Sequence, residues 1–340
     1  MTKRPELVRL PVSADEITLG KSVLASFDVM DATETVAAIE KKEIGPALAP
    51  FINRYEQVGE RDAFLWKFAW ESIDLFTLPC IDPNWREYLL ITKMLGAILL
   101  VVFDDVADQD RNGEILESLI SAVQQREPES KNGAGSQKLA FVGELWLAIR
   151  ERRSHMPRHG EFGTLLDFDY TQLFNSFRYA LLVNIAPSLS NRTEHNLYHP
   201  HSMHIMVSAT LDLMCSPDFA SEEHGILREA VWNAQMMGRL SNCVTTWHRE
   251  IKERDYSGNV FSLALERGII HSDELRGSNT MALEQKLRAS EIEYLLLATW
   301  ARHREKIIEL STLVHSVDLI ALVRGLEKLL GLHISCRGYI

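Results

Sequence analysis

Ten consecutive apolar residues, Met94 to Phe103 (MLGAILLVVF), run directly into Asp104-Asp105. This junction constrains the fold more than any other stretch. The run is too short to span a bilayer. It reads as a helix buried on all sides in a protein core, with carboxylates at its C-terminal end. The rest of the chain has the same helical character. AVWNAQMMGRLSNCVTTWHREIKERD and ALEQKLRASEIEYLLLATWARHREKIIELSTLV are long and rich in helix formers. With 18 Gly and 11 Pro in 340 residues, helix breakers are sparse. Strict period-2 alternation and repeats of solenoid period are absent. The expectation is one all-α domain over residues 31–340, with residues 1–30 as a loosely held N-terminal arm.

Loops are expected at 126–138, 151–163 and 186–202, the last because Pro187 and Pro200 interrupt any helix there. RDYSGN, 254–259, reads as a lid-type turn. Charge narrows the partners. Lys and Arg total 36 against 47 Asp and Glu, a formal net charge of -11, so a general basic field for nucleic acid is missing. Cys80, Cys215, Cys243 and Cys336 are scattered without a CxxC pair, which suits a reducing compartment. MTKRPELVRLPVSADE has no apolar core of a secretory signal, so a cytoplasmic location is expected.

The chemistry concentrates in two acidic clusters. Asp104 and Asp108 are spaced i, i+4 on a helix, so their carboxylates share a face, where like charges repel. Burial at the end of a core helix adds to that cost, and a divalent cation removes it. Hard oxygen ligands point to Mg²⁺ rather than Zn²⁺. The bland alternative is a solvated acidic helix end. Asn242, Thr246 and Glu250, at i, i+4 and i+8, place an amide, a hydroxyl and a carboxylate on one stripe. Arg239 and Arg249 flank it, as a polyanionic ligand such as a diphosphate would require. Alone, this stripe is better read as the polar face of an amphipathic helix with Val244 and Trp247 inward.

Together the clusters resemble those of the class I terpene synthases. Asp104, Asp105 and Asp108 match that family's DDxxD motif. Asn242, Thr246 and Glu250 match its Asn/Ser-Thr/Glu motif, with Arg239-Leu240 before it and Asp255 after it. The likeness covers the chain from about residue 40 onward. It implies an antiparallel helical bundle around a deep apolar pocket, with the clusters facing each other across the mouth. Three Mg²⁺ ions are implied there, with Mn²⁺ tolerated in their place. Asp104 and Asp108 would hold one pair, with Asp105 supporting, and Asn242, Thr246 and Glu250 the third. Arg239 and Arg249 would bind the diphosphate of a prenyl substrate. Asp104, Asp108, Asn242, Thr246 and Glu250 would be the catalytic set, and homodimers are common in such enzymes.

MGRLSN, HREIKERD and DYTQLFNSFRYA are most similar to bacterial ent-kaurene synthases and other labdane-related diterpene synthases. The expected activity is therefore class I diterpene cyclisation of copalyl or geranylgeranyl diphosphate. A sesquiterpene synthase using farnesyl diphosphate is the alternative. A prenyltransferase and a non-catalytic helical binding protein are more remote. No DxDD motif suggests protonation-initiated cyclisation, and a single aspartate-rich DDxxD motif disfavours chain elongation. Cys243 stands where the family usually has Asp. Its sensor arginine has no match in YHPHSMHIMV, where only His201 and His204 fall nearby, and Arg178 and Arg192 lie further upstream. The family's terminal Arg-Tyr is represented only by Arg337-Gly338-Tyr339.

His195, His199, His201 and His204 are expected as surface histidines of a loop, since Pro200 disrupts ligand spacing. Phe103, beside the aspartates, is expected to line the cavity, with Phe177 a further candidate; for Trp66 and Trp70 core packing is the better reading and cavity lining the alternative. Trp66 shares a face with Trp70, and Trp300 is a further candidate. No phosphate-cradling loop, Rossmann fingerprint or Ser/His/Asp constellation is visible.

Overall fold

The computed structural model describes residues 13–26, 31–124, 134–277 and 279–339. Among the described residues there are α-helices and short 3₁₀ or π turns, and no strand. α1 (Ala14–Ser26), α2 (Ala32–Glu40) and α3 (Ala49–Tyr55) lead into α4 (Ala63–Leu75) and α5 (Arg86–Asp104). α6 (Gly113–Val123) and α7 (Ala134–Ser154) precede the long α8 (His159–Ile185). α9 (Arg192–Tyr198) and α10 (Ile205–Met214) follow, then α11 (His224–Glu253). The chain ends with α12 (Asn259–Glu266), α13 (Ser272–Arg276), α14 (Thr280–Ala289), α15 (Ile292–Leu310) and α16 (Leu319–Ser335).

One apolar core runs from Leu48 to Leu330 through most of these helices. α5 packs on α4, α7 and α10, while α11 packs on α10, α15 and α16. α16 closes the ring against α4 at backbone contact: a Cβ on Gly325 would lie 1.8 Å from the Leu75 carbonyl oxygen. No described helix is long and apolar enough to cross a membrane.

α5 carries the apolar run as expected, with one difference. Leu100 and Val101 are only half-buried, because that face opens on a cavity rather than on protein. Deeper in α5, Lys93 is fully buried and its ammonium pairs with Asp212 on α10 at 2.6 Å. It also donates to Thr77 Oγ1 at 2.9 Å, and the Leu78 amide donates to Asp212 Oδ2 at 2.9 Å, so the pair is embedded in further polar contacts.

The loop expectations change in detail. Residues 125–133 lie outside the described residues, but 134–138 already belong to α7. The 151–163 stretch is mostly helix, with a turn only between Ser154 and His159. Pro187 does break the chain after α8, and Pro200 sits in a 3₁₀ turn, His199–Met203. Of the N-terminal arm, 1–12 and 27–30 lie outside the described residues. Ala14–Ser26 is a helix along α15, tied by Arg302 to Glu16 at 2.8 Å and by Lys21 to Glu291 at 2.7 Å.

Candidate functional site

The cavity beside α5 has a volume of about 510 Å³ and is walled by α4, α5, α11 and α16. Each wall presents residues at helical spacing. Ala97, Leu100, Val101 and Asp104 form one stripe on α5, so the same face that is apolar in depth ends in a carboxylate. Leu65, Trp66, Ala69 and Ile73 face it from α4, and Leu329 and His333 from α16. Arg239, Asn242, Thr246, Arg249, Glu250 and Glu253 supply the α11 stripe. The two acidic clusters, far apart in the chain, therefore meet at one opening.

After Asp104 the helix widens into a π turn, Asp105–Asp110, which ends at Arg111 with φ 49°. Asp108 lines the cavity with Asp104, and Asp105 points elsewhere. Both Asp105 oxygens are occupied. Tyr55 Oη donates to Oδ2 at 2.7 Å, and Arg61 Nε donates to Oδ1 at 2.9 Å. Asp105 is expected to support the ligands Asp104 and Asp108; the turn aims it at α3 and at the chain before α4.

Three residues without a sequence signal assemble the mouth. Asn184, near the end of α8, donates through Nδ2 to Asp108 Oδ1 at 2.9 Å and Asp255 Oδ1 at 3.0 Å. Its Oδ1 accepts from the Tyr256 amide at 2.8 Å. Arg111 Nε donates to the Asp108 carbonyl at 3.1 Å, and its Nη2 to the carbonyls of Glu253 and Arg254 at 3.1 and 2.8 Å. The end of the first cluster is thus tied to the end of α11. Arg61 lines the mouth from the α4 side, with Nη2 at 3.3 Å from Asp104 Oδ2.

On α11, Arg239 Nη1 donates to Asn242 Oδ1 at 3.1 Å, and Thr246 Oγ1 donates to Glu250 Oε1 at 2.7 Å. Glu250 Oε2 and Arg239 Nε are buried without hydrogen-bond partners. Gly258, in the 254–259 turn, crowds that free oxygen: a Cβ there would lie 2.6 Å from Oε2. Arg249 lines the cavity and pairs with Glu253 at 3.1 Å. Cys243 faces Asn259 Oδ1 at 3.7 Å, outside the cavity, and burial pushes its thiol up to about 11.

Carboxylates outnumber their cations here. Burial raises the Asp104 carboxyl, and the Arg61 guanidinium only partly offsets it. Burial, then Asp255 and Asp104, hold Asp108 well above the usual carboxylate range. Burial and Asp255 push Glu250 up to about 7. Among the described residues no three Asp, Glu, His or Cys side chains converge closely enough to cage a metal ion by themselves. The side-chain donors of the two stripes, Asp104, Asp108, Asn242, Thr246 and Glu250, are hard oxygens, and Glu250 Oε2 is unpartnered. That set suits Mg²⁺, which retains waters and takes phosphate oxygens from its ligand.

Several expectations are corrected by packing. Phe103 precedes Asp104 by one residue, about 100° round the helix, so it faces α8 instead of the cavity. It packs against Phe174 and Phe177, with centroids at 5.1 and 5.7 Å, and all three belong to the core. Trp70 is half-buried outside the cavity lining, whereas Trp66 lines it. Trp300 borders a separate outer groove between α1, α15 and α16. The histidines are not a surface loop. His195, His199 and His204 are at most 3% exposed, and His201 rests on Trp232 at 5.2 Å. His195 and His199, one turn apart on and after α9, stack at 4.9 Å, and His199 Nε2 lies 3.0 Å from Ser257 Oγ. Burial pushes His195 and His204 down to about 3, so both are neutral near pH 7.

No protein-family model matches the chain, and no curated protein matches it significantly.

Proposed function

We propose that the chain is a class I terpene synthase that ionises a C20 prenyl diphosphate, copalyl or geranylgeranyl diphosphate, and cyclises the resulting cation. One observation carries this reading. A single cavity has apolar and aromatic walls and a mouth bearing both acidic stripes and three arginines. An amphiphile with a hydrocarbon body and a polyanionic head fits that division. Its volume of about 510 Å³ lies within the range of roughly 300–1,000 Å³ typical of small-molecule sites.

Asp104 and Asp108 on one side, and Asn242, Thr246 and Glu250 on the other, would hold Mg²⁺. Bound there, Mg²⁺ supplies charge neutralisation to the departing diphosphate. Arg239 and Arg249 donate hydrogen bonds to diphosphate oxygens and are already aimed at the mouth, so little reorganisation accompanies ionisation. Trp66, Ile73, Leu100 and Leu329 exclude water from the hydrocarbon and shape its folding. Arg111 and Asn184 keep the two stripes in register.

The test is product analysis. Purified protein is incubated with Mg²⁺ and, separately, farnesyl, geranylgeranyl and copalyl diphosphates, and extracts are run by gas chromatography with mass detection. A cyclic product from one C20 substrate is expected. A product from the C15 substrate alone moves the chain to the sesquiterpene class. Intact diphosphates throughout, or unchanged diphosphate release in Asp104→Ala and Asn242→Ala, overturn the reading.

A further inference from the structure

Arg61 is a cation of the cavity lining to which the two sequence motifs assign no role. Its guanidinium is held from behind. Nε donates to Asp105 Oδ1 at 2.9 Å, and Asp105 is itself fixed by Tyr55 Oη at 2.7 Å. The Arg61 amide in turn donates to Tyr55 Oη at 3.3 Å, so backbone, phenol and carboxylate form one closed network. Asp105 is 4% exposed and Tyr55 fully buried, so the anchor is rigid. The forked end of the guanidinium is underused. Nη2 makes one long contact, 3.3 Å to Asp104 Oδ2, and Nη1 has no partner among the described residues. Arg61 lines the cavity together with Asp104 on α5 and Glu253 on α11.

We propose that Arg61 is a diphosphate-binding residue, and that Asp105 is its positioning residue rather than a cation ligand. This rests on the reading of the site given above. A guanidinium anchored through Nε, with Nη1 unpartnered and Nη2 in only the 3.3 Å contact to Asp104, presents a forked pair of donors to an anion, the geometry in which arginine binds phosphate most strongly. Arg239 and Arg249 approach from α11, and Arg61 approaches from the opposite wall, so the head group is gripped from both sides. The middle aspartate of the cluster then has a definite task. It holds the arginine with both of its oxygens committed, while Asp104 and Asp108 remain turned to the cavity.

The test uses inorganic diphosphate with Mg²⁺ and isothermal titration calorimetry, on the full-length wild type and on Arg61→Gln, Arg61→Lys and Asp105→Asn. Two charge-assisted hydrogen bonds predict affinity lower by about 10- to 100-fold in Arg61→Gln. Arg61→Lys keeps the charge but loses the fork, and should lie between. Asp105→Asn should also weaken binding, with Mg²⁺ affinity measured alone left unchanged. Urea unfolding and circular dichroism identify variants that bind poorly because they are unfolded, and Arg61→Lys serves if Arg61→Gln does not fold. Wild-type affinity in a folded Arg61→Gln overturns the proposal. So does tighter binding, which would mean that Arg61 only blocks Asp104. If the wild type itself fails to bind diphosphate with Mg²⁺, the reading of the whole site fails instead.

Discussion

Glu250→Gln should stabilise the metal-free protein at alkaline pH, although it alters a residue at the centre of the site. The folded chain holds the Glu250 carboxyl at about 7 against an ordinary value of 4.5, through burial and the nearby Asp255 charge. Between those values the native state binds a proton that the unfolded chain has released. Stability therefore falls as pH rises from about 4.5 to about 7 and stays low above it. At 1.36 kcal/mol per tenfold change in proton affinity, the loss amounts to ~3 kcal/mol. Asp108, also raised, acts in the same direction. Glutamine keeps an acceptor for Thr246 Oγ1, which donates at 2.7 Å, and replaces the unpartnered Oε2 with a neutral amide. The assay is urea unfolding in chelator at pH 5, 6, 7 and 8, repeated with Mg²⁺. In chelator, wild type should lose stability across that range, and the variant should lose less and be the more stable at pH 8. Mg²⁺ should restore wild type at pH 8 and do little for the variant. A flat wild-type profile, or a variant less stable than wild type at pH 8 in chelator, would refute the electrostatic account of the mouth.

Asn184→Leu should lower diphosphate release by roughly 10- to 100-fold, as expected when a ligand's supporting contact is lost, with helix content by circular dichroism unchanged. Lys93→Met leaves Asp212 buried without its 2.6 Å partner and should cost about 3–5 kcal/mol in urea unfolding, a loss partly recovered in Lys93→Met/Asp212→Asn. Gly96→Ala would bring a Cβ to 2.6 Å from the His204 imidazole, and overpacking of this kind should destabilise by about 1–3 kcal/mol, read as a lower urea midpoint.

Helical period carried much of the site from the sequence alone. Residues three and four apart share a face whatever the rest of the chain does, so Asp104 and Asp108, and likewise Asn242, Thr246 and Glu250, were legible as stripes. The apolar run of α5 was legible as core for the same reason. Tertiary structure decided which face of each helix opens on the cavity. That moved Phe103 and Phe177 into the core and left Trp66, rather than Trp70, on the wall. It also buried the histidines that a proline-broken stretch suggested were exposed, because α9 and its 3₁₀ turn pack on α8 and α11–α12. The partners across the mouth were invisible in sequence. Arg61 meets Asp105 across 44 positions and Asn184 meets Asp108 across 76, with no local spacing to relate them. A single chain's periodicity fixes neighbours along a helix. Only packing fixes neighbours between helices, and the polar contacts that aim Asp105 away from the cavity and Asp108 into it are of that second kind.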